Sequence, residues 1–396
     1  MDGRMSSLLS RVIGEVRKLA VVDGETAYIR DPVFPVIRNR VHAEVAKAML
    51  RLGGDPLVAP LLNYAVGCQN PDGSWNEVHV NYNEPSALIT AFIGDALLEG
   101  KEQCLHDEAL QKARDCVLAA ELRPGYFLKS RGYTADHLNV DASCGAFLAR
   151  YAERYDDRDA RAAALRAAEN VVHHQHPDSA YPYTVDRGTY PYIFNLPCVH
   201  YQGVTIYYLA KANEVLCDDR IDESIMRGVQ WLAAAQRPDG RFDWSRSGLS
   251  FASYLSGAYA FALASFVYAA RMDDRYREHA ARCLARLEQD VQGLAPRWEP
   301  GSWAGLVPSV ATVARTASLG DYPLQHQAFR FGYGMYREIA RRRYGEAAGT
   351  RSFEVFSRLL GIRSSTVEPS NNFPDLFMTA EVLDCLSQSG VWEKDA

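Results

Sequence analysis

The phrase QNPDGSW at residues 69–75 returns as QHPDSAY at 175–181 and as QRPDGRF at 236–242. Each copy reads Gln-x-Pro-Asp, with an aromatic three positions after the aspartate. Two worn copies, ELRPGYF from Glu121 and QGLAPRW from Gln292, fill the gaps, so the phrase recurs at intervals of 52, 54, 61 and 56 residues. Pro followed by Asp-Gly stops a helix and turns the chain, so every copy marks a helix end. A second series keeps step with the first. Asp55, Asp107, Asp157, Asp219 and Asp274 each precede a stretch with helical spacing, where an N-cap would sit. The repeating unit is therefore helix, Asp turn, helix, Pro-Asp-Gly loop: a helical hairpin.

Charge separates the two helices of each unit. Residues 273–290 carry nine charged side chains in eighteen, whereas 196–213 carry only Lys211 and 248–270 carry none. Amphipathic helices outside and buried helices inside produce this alternation. The spacing predicts inner helices beginning near Pro85, Asn139, Pro197 and Ser250, and outer helices beginning near Pro56, Glu108, Arg158 and Arg220. About six hairpins fit in 396 residues, enough to close a ring. The expectation is an all-α, (α/α)6-type toroid forming a single domain over 1–396. Residues 1–34 read as an N-terminal helix and lead-in, and 35–396 as the hairpin repeats.

The stretch RGVQWLAAAQRPDGRF at 227–242 resembles the QW repeat of the terpenoid cyclase and protein prenyltransferase superfamily. That pattern has a basic residue and Gly ahead of an aromatic, then Gln, Asp-Gly and a final aromatic. The copy ending at Trp75 keeps Tyr64, Gln69, Asp72, Gly73 and Trp75. The resemblance covers the repeat frame from about residue 56 to 300. It implies a toroid whose repeat glutamines brace neighbouring outer helices, and it implies no particular reaction.

Composition narrows the function. The net charge of −6 gives no electrostatic reason to approach nucleic acid. Eight scattered cysteines without a CxxC pair suit reduced thiols, not a disulfide frame or a zinc site. The N-terminus MDGRMSSLLSRVIGEVRKLA breaks its apolar residues with Arg11, Glu15, Arg17 and Lys18, unlike a signal peptide, so a cytoplasmic protein is expected. The uncharged stretch 248–270 is long enough to span a bilayer, but its serines and tyrosines favour a helix walled in by other helices over stable membrane insertion. No GxGxxG or GxxxxGK[ST] pattern occurs, so no nucleotide cofactor is expected. The DDxxD-like run Asp218-Asp219-Arg220-Ile221-Asp222 belongs to the capping series. His173, His174 and His176 sit at the end of an outer helix, so no metal is expected.

Short polar clusters ahead of the inner helices are the candidate site. They are NYNEPS (81–86), HLNVDAS (137–143), NLPCVHY (195–201) and SNNFPD (370–375). His200 and Tyr201 offer a base near neutrality and a proton donor or acceptor. Asn195 or Arg187 would polarise a substrate carboxylate and acidify the carbon beside it. These are the needs of proton abstraction next to a uronate. The expected function is a carbohydrate-active enzyme, a lyase or epimerase of a uronate-containing glycan, with hydrolysis an open variant. His200, Tyr201, Asn195 and Asp141 are the candidate catalytic groups. Tyr82, Glu84, His137, Arg187, Tyr190, Tyr254, Asn372 and Asp375 are the candidate substrate contacts, with an oligosaccharide or small molecule as partner. Two alternatives stand beside this. One is an isoprenoid cyclase-like enzyme, in which Asp141 would be the surviving carboxylate of the class II acid motif. The other is a non-catalytic binding toroid.

Overall fold

A computed structural model describes residues 2–31, 36–79, 82–100, 106–185, 197–242, 255–292 and 376–394. Within them lie twelve helices: α1 (Asp2–Arg17), α2 (Asn39–Arg51), α3 (Val58–Gly67), α4 (Ala87–Glu99), α5 (Asp107–Ala119), α6 (Leu138–Tyr155), α7 (Arg158–His173), α8 (Val199–Leu216), α9 (Asp219–Ala235), α10 (Leu255–Ala270), α11 (Tyr276–Gln292) and α12 (Leu376–Lys394). Three antiparallel hairpins accompany them: β1 (Ala20–Asp23) with β2 (Thr26–Ile29), β3 (Trp75–His79) with β4 (Tyr82–Ser86), and β5 (Glu121–Arg123) with β6 (Tyr126–Phe127).

The even-numbered helices form a closed inner ring. In it α2 packs on α4, α4 on α6, α6 on α8, α8 on α10, α10 on α12, and α12 back on α2. The odd-numbered helices lie outside. In particular, α1 packs against α12 and α11, so the first helix supplies the outer partner of the last inner one. The molecule is an α/α toroid. The inner helices are buried nearly all round: residues 87–97 of α4 are all buried, as are 258–270 of α10, which carries no charge. The start expected at Ser250 lies outside the described residues, and the other three inner starts fall within two residues of expectation.

The repeat phrase is a brace in every described copy. Gln69 donates to the Ala109 carbonyl of α5 (2.9 Å), and Gln175 to the Ser224 carbonyl of α9 (3.0 Å). Gln236 reaches the His279 carbonyl of α11 (3.3 Å) and accepts from the His279 ring across 2.7 Å. In the worn copy, Glu121 takes the same place and accepts from Arg166 of α7 (2.8 Å) and from the Gly125 backbone (2.8 Å). Four residues after each of these, the backbone has positive φ: Gly73, Gly125, Ser179 and Gly240. At Gly125 a Cβ would overlap the Arg166 carbonyl oxygen, so glycine there serves both the turn and the close approach of the next outer helix.

Two sequence expectations need correction. Asp218, not Asp219, caps α9, accepting from the Arg220 N–H at 2.9 Å; Asp219 is the first helical residue. Asp107 likewise lies inside the first turn of α5, with His106 at the cap position. Asp157 caps α7 as expected, accepting from the Ala160 N–H at 2.9 Å. The second correction concerns the loops that lead into the inner helices, where a purely helical reading left no strands. Residues 82–86 of the NYNEPS cluster form β4, and Ser86 then caps α4.

Candidate active site

Cross-ring contacts set the direction of the inner helices. Arg40, second in α2, meets Glu381, sixth in α12, and Glu381 faces His200, second in α8. Arg51, last in α2, meets Glu99, last in α4. The inner helices therefore run parallel, with their N-terminal ends gathered at one mouth.

Paired charge closes the opposite end of the lumen. Lys47 lies 3.1 Å from Asp95 and 2.9 Å from Asp384, Lys211 lies 2.6 Å from Asp95, and Arg51 pairs with Glu99 and Asp384 (2.5 and 2.9 Å). Arg150 adds pairs to Asp95 and Glu99, and the Tyr207 hydroxyl donates to Asp384 at 3.0 Å. Burial alone would raise the Asp384 carboxyl, but Lys47, Arg51 and Lys211 outweigh it and hold it below the ordinary carboxylate range. Lys211 shows the reverse balance. Burial, with Lys47, Arg150 and Arg51 nearby, outweighs Asp95 and lowers its pKa to about 8.

The mouth is different in kind. Arg40 is held between the rings of Phe92 and Phe377, each 4.5 Å from its guanidinium carbon, and binds Glu44 (2.7 Å) and Glu381 (2.8 Å). Glu381 presents its other oxygen to the Nε2 of His200 at 3.9 Å. His200 is 3 % exposed and meets Phe261 and Tyr201 edge-on, at 5.5 and 5.0 Å between centroids. Tyr201 is half-buried and packs against Tyr183, the rings tilted by 31° with centroids 4.2 Å apart, and Tyr183 meets the His137 edge at 5.0 Å. An aromatic row thus runs from the lumen to its rim.

The rim adds polar groups. The Nδ1 of His137 faces the Ala135 carbonyl at 2.5 Å, which fixes that nitrogen as the donor. Burial, then the nearby Lys129, lowers the His137 pKa to about 3, so the ring is neutral and its Nε2 is an acceptor. That Nε2 and the Oδ1 of Asn139 are buried acceptors with no hydrogen-bond partner among the described residues. Lys129 pairs with Glu77 at 3.1 Å, over the Tyr133 ring at 4.5 Å.

The structure thus brings His200, Tyr201 and His137 together. Glu84 of β4 lies across the hairpin from Glu77 and accepts from the Ser130 hydroxyl at 3.0 Å, and the Tyr82 backbone pairs with that of His79 in the same hairpin. Asp141 is turned away from the lumen. It accepts from the Phe127 N–H (2.8 Å) and from Asn170 of the outer helix α7 (3.1 Å), beside Asp136. Asn139 precedes it by two residues, about 200° around the helix, and so faces inward. A carboxylate at position 141 braces an inner helix to an outer one instead of lining the lumen, against its expected catalytic place. Asn195, Arg187, Tyr190, Tyr254, Asn372 and Asp375 lie outside the described residues.

Sequence reasoning missed Glu381, Arg40, Lys129 and Glu77. One signal was present: Arg40, Glu44, Lys47 and Arg51 follow each other at spacings of 4, 3 and 4, a single helix face. A charged stripe ordinarily reads as a solvated face, but here it lines the lumen.

No protein-family model matches the chain, and no curated protein matches it in sequence. Solved structures are similar in fold. An inactive variant of an α-1,6-mannanase from Salegentibacter sp., in complex with α-1,6-mannotriose, superposes with a TM-score of 0.57 at 9 % identity, over 98 % of this chain and 100 % of that one. A sugar epimerase from a ruminal bacterium gives 0.56 at 14 % identity, over 72 % and 87 %. An unsaturated glucuronyl hydrolase specific for heparin gives 0.54 at 10 % identity, over 72 % and 84 %. At such identities the likeness is one of fold.

Proposed function

We propose that this toroid is a carbohydrate-active enzyme that abstracts a proton beside a uronate carboxylate, as a lyase or epimerase, with His200 as the base. The observation that carries the reading is the position of His200: it faces the other inner helices at their N-terminal mouth, and the Tyr201–Tyr183 aromatic pair leads to it from the rim. A sugar ring lies flat on such a pair, and its hydroxyls donate to acceptors such as the Nε2 of His137 and the Oδ1 of Asn139. The toroids of similar fold named above act on sugars according to their descriptions, which supports the same substrate class. A lumen lined with paired charge is also a poor container for an isoprenoid carbocation, and the carboxylate expected for cyclisation at Asp141 is engaged with α7.

In this reading His200 takes the proton from the carbon next to the carboxylate, and the electron pair stays on the substrate as an enolate. A lyase then expels the 4-linked sugar and leaves a double bond. An epimerase instead returns a proton to the opposite face. Tyr201 would orient or protonate the departing or returning side, and Asn195 or Arg187 would neutralise the carboxylate. The test is turnover of uronate oligosaccharides, read by ultraviolet absorbance of the new double bond and by solvent deuterium uptake at the carbon. Replacing His200 by Ala should cost about 10²–10⁴ in rate, as loss of a general base does. Tyr201→Phe should lose less. Full activity in His200→Ala, or saturated products with no deuterium uptake, would remove the proposal.

A further inference from the structure

We infer that Glu381 is the positioning residue of His200, a carboxylate held by Arg40 so that its second oxygen faces the imidazole and stabilises the charge formed there on proton uptake. The inference rests on the function proposed above only for what the base acts upon; its geometry is independent. Three elements converge on it. From α12, Glu381 extends one oxygen to Arg40 at 2.8 Å and the other to the Nε2 of His200 at 3.9 Å. From α2, Arg40 is fixed by Glu44 and by the two rings that sandwich it, so the carboxylate cannot swing freely. From α10, the chain gives up a side chain altogether. A Cβ on Gly257 would lie 2.5 Å from the Oε2 of Glu381 and 3.1 Å from the Cε1 of His200. Only glycine lets that carboxylate and that imidazole approach each other across the ring.

The 3.9 Å separation is too long for a hydrogen bond to neutral imidazole but short for a charge pair. The interaction is therefore weak while His200 waits as a base and strong once it carries the proton. That is the differential a base needs, because it favours the state after transfer over the state before it. Among the described residues, Glu381 is the carboxylate that approaches the ring. On α2 the groups around the pair are Arg40, Glu44 and Lys47; on α8, Tyr201 and Tyr208; on α12, Asp384 and Cys385. The facing segment of α10 brings Gly257 and Phe261 and no charge. Glu44 is engaged with Arg40.

The test is titration of the His200 ring by NMR in the full chain with labelled histidine, the resonance being assigned by its loss in His200→Gln. Glu381→Gln keeps the shape and leaves Arg40 paired with Glu44. The midpoint of His200 should fall by about one unit or more on losing an anion at this range. Gly257→Ala keeps the carboxylate but forces it aside, and should lower the midpoint by a smaller amount. It also carries the test if Glu381→Gln fails to fold. An unmoved midpoint in either folded variant overturns the inference. On uronate substrates, the acidic limb of kcat/KM should move to lower pH by the same amount in Glu381→Gln, with KM unchanged. A midpoint that moves while no uronate is turned over would sink the proposed function and leave the role of Glu381 standing.

Discussion

Asp141 is conspicuous in the sequence and occupied in the structure. It lies fully buried between α6 and α7, with Asp136 beside it, and burial first and the neighbouring carboxylate second raise its pKa well above the ordinary value. Asp136 is raised too, chiefly by burial, so the folded pair holds a proton more readily than the unfolded chain does. A raised folded pKa means that the folded state binds more protons than the unfolded chain. Stability from this pair is therefore complete below the unfolded carboxylate range and declines as pH rises through the folded value. Asparagine at 141 mimics the protonated acid at every pH. Asp141→Asn should accordingly melt close to the parent protein at pH 5 and above it at pH 8, as thermal denaturation at the two pH values would show. An equal shift at both would mean that the folded pair holds no extra proton. The sequence displayed this residue plainly, but not its direction: on a helix, a change of two positions turns a side chain from lumen to outer wall, and nothing in HLNVDAS says which of Asn139 and Asp141 faces inward.

The hairpin repeat was legible because every unit solves the same problem with the same residues. Each turn must end an outer helix, satisfy its last backbone groups and hold the next outer helix, and a Gln or Glu followed four residues later by a positive-φ residue does all three. The small hairpins were not legible, since strands of two to five residues carry too little alternation to register. If the repeat residues are braces, Gln236→Ala should lower stability by about 1–3 kcal/mol through lost hydrogen bonds, with turnover per folded molecule unchanged. Gly125→Ala should cost more than Gln236→Ala, because it adds a strained left-handed residue to an overlap with the Arg166 carbonyl. Chemical denaturation of the two variants beside the parent protein orders them. A fully stable but inactive Gln236→Ala would place that glutamine in the chemistry and end its role as a brace.

Across the whole molecule, the lumen is where sequence and structure differ most. A ring of six inner helices leaves an axis that apolar side chains could have filled, yet four cations (Lys47, Arg51, Arg150 and Lys211) meet three carboxylates there (Asp95, Glu99 and Asp384). The stripes are written in α2 and α4, but pairing across the ring joins residues as far apart as Lys47 and Asp384, 337 positions, and no local pattern encodes it. Among the described residues of this network one cation is in surplus. Lys47 bridges Asp95 and Asp384 and its pKa is raised, burial being outweighed by those two carboxylates. Among the described carboxylates Lys211 pairs with Asp95 alone, over the Tyr207 ring and in the company of the other cations, and is lowered to about 8. Removing Lys47 strands carboxylates in the core, so Lys47→Met should cost about 3–5 kcal/mol, the usual penalty for breaking a buried pair from one side. Lys211→Met leaves Asp95 with both Lys47 and Arg150 and should be nearly neutral. The pH dependence sharpens the contrast. A lowered lysine binds fewer protons folded than unfolded, so in the parent protein its contribution to stability rises between pH 8 and the ordinary lysine range. Lys211→Met should lose that rise while keeping the acid limb, where Asp95 and Asp384, held below the ordinary carboxylate range, give up their stabilisation as pH falls. Denaturation curves from pH 4 to 10 for the two variants decide it: equal losses from Lys47→Met and Lys211→Met would show that the lumen charges act as one undivided network, with no surplus cation among them.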